Sequence, residues 1–144
     1  MSYTYAYPRP MVSADVVLFS PQPDGIFVLL IERLRDPFAG CWALPGGFVE
    51  ENEDPADAAA RELEEETSIK NIKLEQLYAF GKPGRDPRGH CITIVYWGKT
   101  NHKQIAAKAG DDAKNLKWFN ITELPQLAFD HKQIIEMAIK KAGF

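Results

Sequence analysis

The sequence has little cysteine, little histidine and no long apolar run. Of its 144 residues only two are cysteine, Cys41 and Cys91. They stand far apart and form no CxxC pair, which suggests neither a structural zinc site nor a disulfide framework. Both lie in apolar sequence and read as buried free thiols of a reducing compartment. The three histidines, His90, His102 and His131, show no metal-ligand spacing. The longest apolar run, Ile26 to Ile31, is too short to span a bilayer. The opening MSYTYAYPRP has no apolar core of signal-peptide length. The expectation is a soluble cytoplasmic protein with no membrane partner. A basic surplus is missing too. Lys+Arg number 17 against Asp+Glu 20, a net charge of -3, so bulk attraction to nucleic acid is not expected.

What is present is globular in character. Hydrophobic residues make up 45% and charged residues 26%, and 144 residues suit one domain over 1–144. The charge is segregated. Between Gly47 and Ile69 nine carboxylates face one base, Arg61, so that segment carries -8 and the remainder +5.

The chain alternates strand and helix signals. Val12–Phe19 and Ile26–Arg33 read as strands joined across Pro21–Gly25, a hairpin loop somewhat longer than the tightest type. Cys41–Leu44, Ile72–Phe80, Cys91–Trp97 and Leu116–Phe119 are further strand candidates. Asp54 suits an N-cap, with Pro55 in the first helical position and alanines sustaining a helix to about Thr67. A second amphipathic helix is expected over His131–Lys141, with Asp130 as N-cap. Asn101–Asn115 is polar, with a possible helical turn. The pattern is a mixed sheet with at least two helices, an α/β or α+β domain.

On the first helix Glu62, Glu65 and Glu66 stand at i, i+3 and i+4, so they share a face. Like charges at that spacing repel, and a divalent cation between them would relieve the cost. An all-oxygen set completed by water and phosphate suits Mg²⁺ or Mn²⁺. A solvated acidic face is the other reading of such a run. Upstream, Gly46-Gly47 permit close backbone approach to a ligand, and Glu53 lies in the connecting loop.

Gly47, five residues, Glu53, seven residues, then Arg61-Glu62-Leu63-x-Glu65-Glu66-x-Ser68-Ile69 resembles the Nudix box, G-x5-E-x7-R-E-U-x-E-E-x-G-U, of the Nudix hydrolases. The one departure is Ser68 in the place of the last glycine, where a left-handed helix end is eased by glycine. The resemblance implies an α/β/α sandwich around a mixed sheet, with the box as loop–helix–loop, and hydrolysis of a nucleoside diphosphate linked to another group. It implies Glu62, Glu65 and Glu66 as metal ligands, the Gly46 carbonyl as another, Glu53 as an outer or alternative ligand, and Arg61 as the residue that pairs with acids to hold the helix. In many members the general base lies beyond the box. Asp112 is favoured here over Asp111, with Asp86 as a further candidate.

The loop Gly81–His90 carries Lys82, Arg85 and Arg88 in a glycine- and proline-stiffened frame, suited to phosphate oxygens. Arg33, at the end of the second strand, could also reach a phosphate. Trp42 or Phe48 could stack on a base, or pack in the core. The RDPRGH-like segment and Leu127-Ala-Phe-Asp-His131 resemble the ADP-ribose pyrophosphatase branch, and the latter also resembles related transcriptional repressors. The expected reaction is ADP-ribose to AMP and ribose 5-phosphate. A nucleoside-triphosphate pyrophosphatase and an ADP-ribose-sensing module are the alternatives. The sequence ends at Phe144, just after the last helix, so the enzyme rather than a repressor with a C-terminal winged-helix domain is the expectation. The branch resemblance also implies a homodimer, for which the alternating Tyr3, Tyr5 and Tyr7 are one possible contact.

Overall fold

The computed structural model describes residues 2–110 and 113–144, with the side chains of 113 and 114 outside the description. Seven strands, β1 (Met11–Gln22), β2 (Gly25–Arg33), β3 (Trp42–Ala43), β4 (Gly46–Phe48), β5 (Glu75–Phe80), β6 (Cys91–Lys99) and β7 (Ala113–Asn120), accompany two helices, α1 (Pro55–Thr67) and α2 (His131–Ala142). The sheet order is β3-β2-β1-β6-β5, with β4 added on β1 and β7 on β2. Strands β1 and β6 are parallel and the other pairs antiparallel, so the sheet is mixed.

The run-on apolar character of β1 follows from burial on both faces. Ala14, Val16 and Leu18 meet Ala58, Ala59 and Leu63 of α1. Val17 and Phe19, on the other face, meet Ile134, Ile135 and Ala138 of α2. Each helix turns one apolar stripe to the sheet, and the result is the expected sandwich. By this alternation Asp15 falls on the α2 face. It is the one acid in a buried strand, 8% exposed, and Thr93 donates to its Oδ2 at 2.6 Å.

Asp54 caps α1 by accepting the Ala56 N–H at 2.9 Å. The helix ends on Ser68 at φ 64°, in the left-handed region, with its N–H on the Glu64 carbonyl. Serine therefore occupies the conformation that the motif reserves for glycine.

Three local expectations are corrected. The β1–β2 strands run to Gln22 and Gly25, which pair, so the turn is the tight two-residue Pro23-Asp24 rather than a longer loop. Asn101–Gly110 is irregular and holds no helix. Asp130 stands at the N-cap position of α2 but makes no capping bond. Its carboxylate is taken by Arg85, a charge-assisted fork that outcompetes a single backbone N–H. Among the described residues no helix is long and apolar enough to cross a membrane.

Candidate active site

A cleft of about 670 Å³ opens where β1, β4, α1 and the surrounding loops converge. Its walls include Asp15, Arg33, Gly46, Phe48, Glu62, Glu65, Glu66, Arg85, Asp86, Arg88, Phe129 and His131. Pairing of β4 with β1 sets Gly46 opposite Asp15 and Gly47 opposite Ala14. The space at Gly46 admits only glycine, whereas at Gly47 a side chain would displace the Glu62 carboxyl. A side chain at Gly46 would collide with the Asp15 carboxylate and the Ala14 backbone, and one at Gly47 would come within 2.5 Å of the Glu62 carboxyl.

The acidic face of α1 is partitioned. Arg61 forks onto Glu53, with Nε to Oε2 at 2.7 Å and Nη2 to Oε1 at 2.9 Å. Its Nη1 reaches Glu62 at 2.8 Å and Glu65 at 3.2 Å, and Nη2 also donates to the Phe48 carbonyl. Hydrogen bonds from Arg61, then from the Glu50 N–H, hold the Glu53 carboxyl down at about 2. Glu66 points the other way and accepts the Gly46 N–H at 2.9 Å. Burial, reinforced by Glu62 and Asp15, pushes the Glu66 carboxyl well above the ordinary carboxylate range, against the pull of the Gly46 N–H.

Do these residues fit a divalent cation? Among the described residues no three His, Cys, Asp or Glu side chains converge as a ready-made ligand set. The donor chemistry nevertheless fits. Glu62, Glu65 and Glu66 are hard oxygen donors on one helix face, and Glu66 is a buried carboxyl that forms no ion pair among the described residues. Arg61 Nη1 bridges the Glu62 and Glu65 carboxylates and offsets part of their repulsion.

The basic wall is equally structured. Arg88 is gripped by Asp86, which accepts its backbone N–H and both Nε and Nη2. Burial would raise Asp86, but these bonds win and hold its carboxyl below the usual range. Arg85, with a side chain 5% exposed, forks onto Asp130 at 2.9 and 2.6 Å. Arg33 donates from Nε to the Pro37 carbonyl at 2.7 Å and makes no ion pair among the described residues. Burial, then the neighbouring Arg88, pulls its pKa down. His131 accepts the Leu44 N–H at Nδ1, so the neutral ring carries its proton on Nε2, which lies 4.0 Å from Asp15. Burial lowers the His131 pKa and keeps it neutral.

Among the residues singled out from sequence, Gly46, Glu62, Glu65, Glu66, Arg33, Arg85, Arg88 and Asp86 all line this cleft. Arg61 and Glu53 stand behind it as a fork. Lys82 lines a separate hollow of about 530 Å³ with Tyr78, Phe80 and Gln133, on the far side of the Arg85–Asp130 pair. Asp111 and Asp112 lie outside the described residues, although Gly110 lines the cleft. Trp42 packs edge-on against Phe119, whereas Phe48 is 41% exposed in the cleft wall. Asp15, Phe129 and His131 were missed. The signal for Asp15 was there, a single carboxylate inside an otherwise apolar strand.

The NUDIX domain model matches residues 9–138. The chain belongs to the Nudix hydrolase family. It is 42% identical over 130 residues to an ADP-ribose pyrophosphatase of Methanocaldococcus jannaschii, covering 90% of this chain and 73% of the relative. It is 33% identical to the ADPR-responsive transcriptional repressor NtrR of Acinetobacter baylyi, over 94% of this chain and 55% of that protein, so it spans about half the repressor's length. Among solved structures, the NUDIX domain of Shewanella oneidensis NrtR complexed with ADP ribose superposes with a TM-score of 0.88 at 32% identity. That match covers 95% of this chain and 91% of the other.

Proposed function

We propose that this Nudix domain is a Mg²⁺-dependent pyrophosphohydrolase that splits ADP-ribose into AMP and ribose 5-phosphate, with Mn²⁺ able to replace Mg²⁺. The observation that carries the reading is one cleft holding surplus carboxylates beside surplus guanidinium, in a chain 42% identical to an ADP-ribose pyrophosphatase. Glu62, Glu65 and Glu66 would hold the metal, with the Gly46 carbonyl, and with Glu53 as an outer ligand. When bound, the cation withdraws charge from pyrophosphate oxygens and makes water a better nucleophile at neutral pH.

The chain's own residues do the rest. Arg33 and Arg88 receive phosphate oxygens, and Phe48, 41% exposed with Arg88 over its ring, is the surface on which a base would stack. Arg85, already neutralised by Asp130, fixes the Gly81–His90 loop to the start of α2 and gives the cleft a rigid back wall. Arg61 holds α1 to the Glu53 loop, so the carboxylates keep their register. Water attacks phosphorus in line with the departing phosphate, and its proton passes to a carboxylate. Asp112 is our assignment for that base, because Asp86 is committed to Arg88.

The test is a substrate panel of ADP-ribose, dinucleotides and nucleoside triphosphates with Mg²⁺ and with Mn²⁺, ranked by kcat/KM. ADP-ribose is expected to lead. Preference for triphosphates would replace this reading with nucleotide clean-up. The repressor relative favours one other reading, an ADP-ribose sensor. ADP-ribose binding without turnover in any metal, together with a gel shift on DNA, would establish it. A homodimer belongs to the same proposal, and sedimentation decides it.

A further inference from the structure

Phe129 sits where the backbone resists a phenylalanine. Its φ is 52°, a left-handed conformation that is rare for bulky residues and is maintained only when the surroundings impose it. Both flanks are pinned. Ala128 N–H bonds the Trp42 carbonyl at 2.8 Å, Leu127 bridges Trp42, and His131 begins α2 with its N–H on the Ala128 carbonyl. The ring is thereby delivered to the cleft instead of the core, only half-buried, with Phe38 edge-on at 4.8 Å and the His131 ring at 5.4 Å.

Two guanidiniums converge on this one ring. Arg33 Cζ lies 5.1 Å and Arg88 Cζ 5.4 Å from its centroid, and Arg88 is also 5.0 Å from the ring of Phe48. The two arginines come from different parts of the chain, the end of β2 and the loop before β6. They repel each other, and only Arg88 has a carboxylate partner among the described residues. The electron-rich face of an aromatic ring attracts both, and so holds together two cations that would otherwise separate.

We propose that Phe129 is a positioning residue whose ring keeps Arg33 and Arg88 side by side, so that the two guanidiniums form a single seat for a phosphate of the substrate. This rests on the reading of the cleft as a nucleoside diphosphate site. The geometry itself does not. The ring acts through the arginines, so its removal loosens the grip on phosphate without touching the reacting atoms.

The test compares F129L with F129Y. Leucine carries the same left-handed backbone cost and similar apolar bulk but has no π face, whereas tyrosine keeps the face. With ADP-ribose and Mg²⁺, F129L is expected to raise KM about tenfold, the order of one lost cation–π contact, with kcat within twofold. F129Y should restore KM. A wild-type KM in F129L, equal impairment in F129Y, or a fall in kcat at constant KM overturns the proposal. A second measurement separates it from the substrate assignment. In proton–nitrogen spectra the Nε–H signals of Arg33 and Arg88, assigned with R33K and R88K, should lie under the ring current of Phe129. Both should move in F129L and stay in F129Y. If they do not move, the seat is refuted whatever the substrate. If they move while ADP-ribose is not hydrolysed, the substrate reading fails, and the seat is then judged by calorimetric binding of inorganic pyrophosphate, which must weaken in F129L.

Discussion

Loading a divalent cation into this cleft should release a proton. Glu66 is buried against Glu62 and Asp15, and in the metal-free protein near neutral pH its carboxyl holds a proton well above the ordinary carboxylate range. A carboxyl must lose that proton to ligate a metal. One proton per ion makes the apparent affinity rise about tenfold per pH unit below the raised value, or ~1.4 kcal/mol per unit. Isothermal calorimetry with Mg²⁺ or Mn²⁺ in two buffers of different ionisation enthalpy measures this directly. The slope of observed heat against buffer ionisation heat should be close to minus one, the signature of one proton released to the buffer. E66Q should abolish the slope and weaken binding. The folded-state pKa of Glu66 is raised, so the fold binds this proton more tightly than the unfolded chain does. The Glu66 contribution to metal-free stability, read as the difference between wild type and E66Q, should therefore be greatest in mild acid and decline as pH rises above the ordinary carboxylate value of 4.5. Metal should offset the decline, and more so at higher pH. Saturable metal binding with no buffer dependence, and a wild-type melting temperature that follows E66Q across pH, would refute the account of Glu66.

Further outcomes follow from single contacts. Ser68 ends α1 at φ 64°, so S68G should stabilise by about 0.5–1 kcal/mol, the left-handed cost less the added chain entropy of glycine, with kcat/KM unchanged; thermal unfolding reads it. D130N leaves the guanidinium of Arg85, 5% exposed, without its counter-charge. It should cost about 3 kcal/mol and lower Tm by roughly 10 °C, whereas a loss near zero would mean that the pair contributes nothing. His131 is buried with a lowered pKa, so below about pH 6.5 the unfolded chain takes up its proton first and stability falls as pH falls. H131N should flatten that limb in urea titrations between pH 5 and 7.

The sheet and both helices were legible because their signals are local. Helix α1 carries its cap, its proline and its alanines in order, and the apolar runs of β1 and β2 are long enough to need a two-faced core. The hairpin loop was misjudged because Pro21 lies in an edge-tolerant position of β1 and the strand continues through it to Gln22. The box carboxylates could be named because their spacing is a helix period. Asp15 and His131 could not, since they are 116 residues apart in sequence and meet only through the packing of α2 on the sheet. Phe129 carries no helix or strand period at all, and its direction is set by a backbone conformation that residue type does not announce. Asp130 looked like a cap because composition shows which residues can cap, but not which competing partner arrives.

The accounting of charge in the cleft explains why the chain separates -8 from +5. Each ion pair in and around the cleft removes a candidate from direct work. Glu53 and Arg61 neutralise one another, as do Arg85 with Asp130 and Arg88 with Asp86. What remains on the acidic side is Glu62, Glu65 and Asp15, with Arg61 already committed to Glu53, and Glu66 once it gives up its proton. What remains on the basic side is Arg33, which among the described residues faces the Pro37 and Arg35 carbonyls and the Phe129 ring but no carboxylate partner. A cation alone would satisfy the first remainder and worsen the second, and a phosphate alone would do the reverse. A divalent cation carrying a pyrophosphate satisfies both, so metal and substrate should each raise the affinity of the other. Calorimetric titration of a non-hydrolysable ADP-ribose analogue with and without Mg²⁺ measures that coupling, and in R33A the coupling should shrink because only the acidic remainder is left.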